Sequence, residues 1–374
     1  MKTKNLLKAI FMSSLVIFSS CSKDNDPVAP VACTVVAPDM YDYLVDDSST
    51  VSFSGQTARL QMAAEMMTAL SDPNTTASAL KAMFDHQAGS LDFADALLNA
   101  SSKQIKSKTA GYQDATNQMH IQMKFDEWFD DYATNVAPNL NQMAVAGSPG
   151  MVGERELNAK GMEYDQIVAK SLIGALCLDQ VVNGYLSEIK IGDAVDNTTR
   201  NPDEDKNATA MEHHWDEGYG YIYGVDSDHS TAEILNDVLL GKYVNKFEDH
   251  RATIFDAFKM GRQAIVENCS EERDRQAQII KETLSKVVAL KAEGYLRDAA
   301  AADDLSDDYF HDLSEGYGFI LSLQFTHTAD GTPYFTHSEI NTMLENLEAG
   351  NGFWDRTDAE LIEMADAINA ASGL

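Results

Sequence analysis

Two histidines each stand four residues ahead of a glutamate, and both glutamates open the same Gly-Tyr-Gly run. The copies are His213-His-Trp-Asp-Glu217-Gly-Tyr-Gly-Tyr221 and His311-Asp-Leu-Ser-Glu315-Gly-Tyr-Gly-Phe319. On a helix, side chains four apart share a face, so His213 meets Glu217 and His311 meets Glu315; His214, three before Glu217, can converge on it too. An imidazole and a carboxylate on one face suit three kinds of chemistry. They can ligate a divalent ion, iron or zinc, with His214 or Asp216 close by. A glutamate beside such an ion can act as general base in a metal-dependent peptidase. Alternatively each His donates to its own Glu while Tyr219 and Tyr317 fill the interface, as a buried polar network in a scaffold. Neither HExxH, nor an i,i+4 pair of histidines, nor a Ser/His/Asp array is present, so the reading leans away from an enzyme.

The glycines bear on how these side chains are held. Gly218, Gly220, Gly316 and Gly318 each cost a helix interior roughly 1 kcal/mol relative to alanine, which is tolerated where two backbones approach closely. The expected partner is the other copy, packed about a pseudo-two-fold axis. His213, Glu217, His311 and Glu315 are then expected to converge near the bundle centre.

The elements behind the motif read as helices. Thr209 and Glu212 have capping-box spacing, which starts the first motif helix near Ala210, and Ser306 or Asp304 caps the second. Two longer helices precede them, about Glu163 to Ser187 and about Glu271 to Ala300, with apolar residues at helical spacing. They are related: Asp165-Gln166 leads to Gly184-Tyr185-Leu186 as Arg275-Gln276 leads to Gly294-Tyr295-Leu296. Between long helix and motif the first copy carries a longer polar loop, Ile189 to Ala208. One helix pair thus occurs twice, over about 163–226 and 271–328. Further helices are expected at Arg59 to Leu70, stopped by Asp72-Pro73, and at Ser78 to Phe84, Phe93 to Leu98 and Met119 to Tyr132. The single β-type stretch lies within Tyr41 to Phe53, where Thr50-Val-Ser-Phe53 alternates. The fold class is all-α: two related bundles, a helical region 41–161 packed around a duplicated core 162–374, and minor β content near the N-terminus.

Charge narrows the partners. The chain carries 59 acidic against 28 basic residues, a net charge of -31. Such a surface repels nucleic acid and attracts cations and basic partners. Among the cysteines, Cys33 lies in a linker, and Cys177 and Cys269 read as small buried hydrophobes.

The N-terminus reads as an export signal over residues 1–20. Lys2, Lys4 and Lys8 precede an apolar run from Ala9 to Phe18, too short for a permanent span, and Ser19-Ser20 precede Cys21. Small residues directly before a cysteine mark it for lipidation, so Cys21 is the expected anchor. Residues 21–40, rich in Pro and small residues, read as a tether. No later stretch is expected to span a bilayer. The expected location is the cell envelope: outer membrane, cell surface or periplasmic face.

The segment Thr209-Ala-Met-Glu-His-His-Trp-Asp-Glu-Gly-Tyr-Gly-Tyr resembles the signature of an uncharacterised lipoprotein family related to the imelysins. Val51-Ser-Phe-Ser-Gly-Gln-Thr-Ala-Arg59 and Leu178-Asp-Gln-Val-Val-Asn-Gly-Tyr-Leu186 are similar to it as well. Imelysins are exported helical proteins of two related bundles, linked to iron uptake and once classed as metallopeptidases. Their hallmark is GxHxxE. His214 and Glu217 satisfy HxxE, whereas Glu212 stands where the hallmark has glycine. The resemblance implies a setting in iron or haem acquisition, with outer-membrane iron or haem transport proteins as partners.

Overall fold

A two-residue turn has positive φ at both Asp46 and Asp47. It joins β1 (Leu44–Val45) to β2 (Ser48–Ser49) as an antiparallel hairpin, the backbone twist such turns require. The expected strand at Thr50 to Phe53 is therefore displaced. Thr50 instead folds back, its N–H and hydroxyl both donating to the Tyr43 carbonyl at 2.7 and 2.9 Å. A second hairpin, β3 (Gly150–Val152) with β4 (Arg155–Leu157), was not expected. Three-residue strands are too short for an alternating pattern to stand out.

The computed structural model describes residues 33–201, 205–226 and 228–374. The expected signal segment, Cys21 and most of the tether lie outside the described residues. Val35–Leu374 forms one compact unit.

Helices make up the rest. The first half of the chain contributes α1 (Ser54–Leu70), α2 (Ala77–Phe84), α3 (Ala96–Ala100), α4 (Ala115–Asp131) and α5 (Tyr164–Leu172), the last continuing as π-helical turns over Ile173–Tyr185. Then come α6 (Glu188–Ile191), α7 (Ala210–Tyr223), α8 (Leu240–Val244), α9 (Glu248–Val266) and α10 (Ser270–Ala301). Last are α11 (Asp307–Ser322), α12 (His337–Glu348) and α13 (Asp358–Ser372). The fold is mainly α, as expected.

Two long helices organise it. α10 packs against α9, α11 and α13, burying Ile280, Leu284, Val287, Val288 and Leu296. The Tyr164–Tyr185 helix serves both motif helices: its first turns lie on α11 and its last turns on α7. By length and composition alone it could cross a membrane, but it lies buried in the core. Helix termini follow their capping residues. Thr209, Thr336 and Thr357 each form a complete capping box with a glutamate three residues on.

Cysteine usage differs from expectation at one position. Cys33 and Cys269 are each disulfide-bonded, so Cys269 is not a free buried thiol. Cys177 is free and buried.

Candidate functional site at the duplicated motif

The caps place both motifs in the first turns of their helices. The Thr209 hydroxyl accepts from Glu212 N–H at 3.2 Å while Glu212 accepts from Thr209 N–H at 3.0 Å. In the second copy Ser306, not Asp304, caps α11 by accepting from Tyr309 N–H at 3.2 Å.

In the first copy His213 Nε2 stands 3.8 Å from Glu217 Oε2, with the two side chains 20% and 19% exposed. The direct hydrogen-bond donors to Glu217 are neutral. Gln56 Nε2 donates to Oε1 at 3.0 Å and the Tyr185 hydroxyl donates to the same oxygen at 3.1 Å. His214 turns aside, its Nδ1 2.7 Å from the Lys190 carbonyl. Burial pulls the His214 pKa down, and the Lys190 ammonium adds to that, against the pull of its backbone hydrogen bond and Glu217.

The second copy is tighter. Lys170 Nζ lies 2.6 Å from Glu315 Oε1, with both side chains under one-tenth exposed, and the Tyr243 hydroxyl donates to Oε1 at 3.2 Å. Burial pushes the Glu315 carboxyl up, but the Lys170 charge and hydrogen bond outweigh it and hold the group below its ordinary range. His311 pairs with Glu163 rather than with Glu315, Nδ1 to Oε2 at 2.7 Å. Burial pushes the His311 pKa down, and the Glu163 hydrogen bond and charge overcome that and raise it.

Each glycine has a defined neighbour, and the first of each pair packs within its own copy. A Cβ on Gly218 would meet Tyr185 Cβ at 3.5 Å, and one on Gly316 would meet Tyr295 Cβ at 3.5 Å. A Cβ on Gly220 would run into Phe53 and Gln56, and one on Gly318 into Lys170, Ile167 and Ser171. The close approach is thus to α1 and α5, not between the two motif helices as expected. His213 and Glu217 on one side, and His311 and Glu315 on the other, keep separate partners. Among the described residues no three His, Cys, Asp or Glu side chains are grouped as a metal ion requires. Among the described residues these four side chains are thus not gathered into one group.

The remaining candidate residues face elsewhere. Asp216 is fully buried against Arg262, Nε to Oδ1 at 3.0 Å, and accepts from the Tyr41 hydroxyl at 2.7 Å. Burial raises its pKa, and Arg262 opposes the rise. The Tyr219 ring stacks on Tyr41 with centroids 3.7 Å apart, and Tyr317 donates to Glu348 at 2.7 Å. Glu212 joins the Asp216 network: Arg200 grips it with two bonds of 2.7 and 2.8 Å, and Arg262 Nη1 lies 3.3 Å away. A glycine could not hold these two arginines. Arg262 and Lys170, the cations at the centres of the two networks, were not singled out from the sequence. Their only signal is a basic residue on an otherwise apolar helix face.

Fold and site together define a mainly helical protein in which a twice-used His/Glu motif anchors two separate polar networks. The chain belongs to the family described as "Domain of unknown function (DUF4856)", whose model matches residues 38–374. No curated protein and no solved structure matches it.

Proposed function

We propose that the protein is a lipid-anchored, non-enzymatic component of the cell envelope that binds a metal-bearing ligand in iron or haem acquisition. The carrying observation is the partly exposed His213–Glu217 pair, 3.8 Å apart, whose carboxylate accepts hydrogen bonds from the neutral donors Gln56 and Tyr185. Among the described residues no lysine or arginine bonds to this carboxylate directly, which leaves it able to ligate an incoming cation. Two protein ligands do not complete a coordination sphere, so the metal arrives with ligands of its own. Anchoring falls to Cys21, and the disulfide-bonded Cys33 and Cys269 support an oxidising, exported location. The iron or haem setting, and transport proteins of the outer membrane as partners, rest on the imelysin resemblance.

The second copy favours a structural role. Its glutamate is engaged by Lys170 and its histidine by Glu163. On this reading the duplicated motif has divided its work, one copy binding and the other holding the bundle.

Metal content and zinc and ferrous-ion titrations of the purified protein test the proposal. Stoichiometric metal should be lost in His213→Ala and kept in His311→Ala. A wild-type protein that takes up neither ion, with a lowered melting temperature in His213→Ala, would make both copies structural.

A further inference from the structure

Around Glu217 the charge character of the molecule reverses. Acidic residues outnumber basic ones by 59 to 28, so a lysine has carboxylates within easy reach. Lys103, Lys108 and Lys190 nevertheless make no ion pair among the described residues. Arg59, buried on α1, spends its guanidinium on the main-chain carbonyls of Gln104 and Gly55, at 3.0 and 3.1 Å.

These four cations share one neighbourhood. Gly55, in the first turn of α1, has no side chain, and a Cβ there would lie 3.0 Å from Lys103 Cε and 3.4 Å from Arg59 Nη1. Lys190 Nζ stands 3.4 Å from His214 Nε2 and 6.0 Å from the centre of the Tyr185 ring. Lys108 is within electrostatic reach of all three others. Burial lowers its pKa, Arg59, Lys190 and Lys103 push the same way, and Glu217 opposes them. The Tyr221 hydroxyl, fully buried and without a hydrogen-bond partner, lies within electrostatic reach of Arg59 and Glu217.

We propose that Arg59, Lys103, Lys108 and Lys190 form a binding site for a small multivalent oxyanion, a polycarboxylate or a phosphate, beside Glu217. Lysine and arginine donors make their strongest hydrogen bonds to such oxygens. The strongly negative remainder of the protein repels free anions, so retention here requires local contacts rather than a general field. The inference goes beyond the metal reading and uses other residues, so either can fail alone.

Calorimetric titration of the purified chain with citrate, and separately with inorganic phosphate, at low ionic strength tests it. One anion should bind one-to-one. Affinity should fall about tenfold in Lys103→Gln and further in Lys108→Gln/Lys190→Gln, the expected loss per charge-assisted contact. Lys286→Gln, an exposed lysine elsewhere, should leave it unchanged. Tighter citrate binding assigns a polycarboxylate and tighter phosphate binding assigns a phosphate. Melting curves for each variant establish that the chain is folded. No heat with either anion on folded wild type, or an equal loss in Lys286→Gln, overturns the proposal.

Discussion

Gln56 touches Glu217 as Lys170 touches Glu315: the amide nitrogen reaches Oε1 at 3.0 Å and the ammonium at 2.6 Å. Each residue also packs over the second glycine of its motif, Gly220 or Gly318. One position therefore carries a neutral donor in the first copy and a cation in the second. The tyrosine contact differs less, since Tyr185 donates to Glu217 at 3.1 Å and Tyr243 to Glu315 at 3.2 Å.

This difference sets the cost of breaking each network. Lys170→Gln strands a carboxylate that is mostly buried, and should cost about 3–5 kcal/mol. Glu217→Gln leaves neutral partners at a site about one-fifth exposed, and should cost only about 1 kcal/mol. Urea unfolding of the two variants against wild type measures both. Equal costs would mean that Glu217 relies on its surrounding cations as heavily as Glu315 relies on Lys170.

His311 gives the fold a pH dependence of known sign. Its folded pKa is raised by Glu163, so the stabilisation is complete below the ordinary histidine value, near 6.5, and is lost as pH rises through the folded pKa above it. Wild type minus His311→Asn, compared by melting temperature from pH 5.5 to 8.5, should show a gap that shrinks with rising pH. A gap that widens toward pH 8 contradicts the raised pKa.

Glycine substitutions separate packing from propensity. Gly220→Ala and Gly318→Ala push a methyl into Phe53 or Lys170, well inside 3.0 Å of a neighbour for Gly220 and 2.5 Å from Lys170 Cβ for Gly318. Each should destabilise by about 1–3 kcal/mol. Gly294→Ala, in the interior of α10 with nothing within 4 Å of the new Cβ, should stabilise by about 1 kcal/mol. Denaturant midpoints of the three variants decide the matter, and a Gly294→Ala loss would point to a function for that glycine beyond packing.

What was legible in the sequence is local. The Thr209–Glu212 capping box and the Ser306 cap lie within four residues of the helices they start, and both helices begin there. The long helices are legible because an apolar face repeats over many turns. Long-range pairing is not. Gln56 reaches Glu217 across much of the chain, and Lys170 looks in sequence like one more helical lysine. The glycines declared a close approach but not to what. Their partners, α1 and α5, became visible only once the packing was known. Glu212 was legible as a cap, yet its grip on two arginines depends on Arg200, between α6 and α7, and on Arg262 of α9, which no spacing rule connects.

The Tyr164–Tyr185 helix packs on α11 through its first turns and on α7 through its last. Neither half of the core can then open without baring an apolar face that the other half needs covered. Such shared packing binds the two repeats into one cooperative unit, so a perturbation at one motif should lower protection against amide exchange at the other.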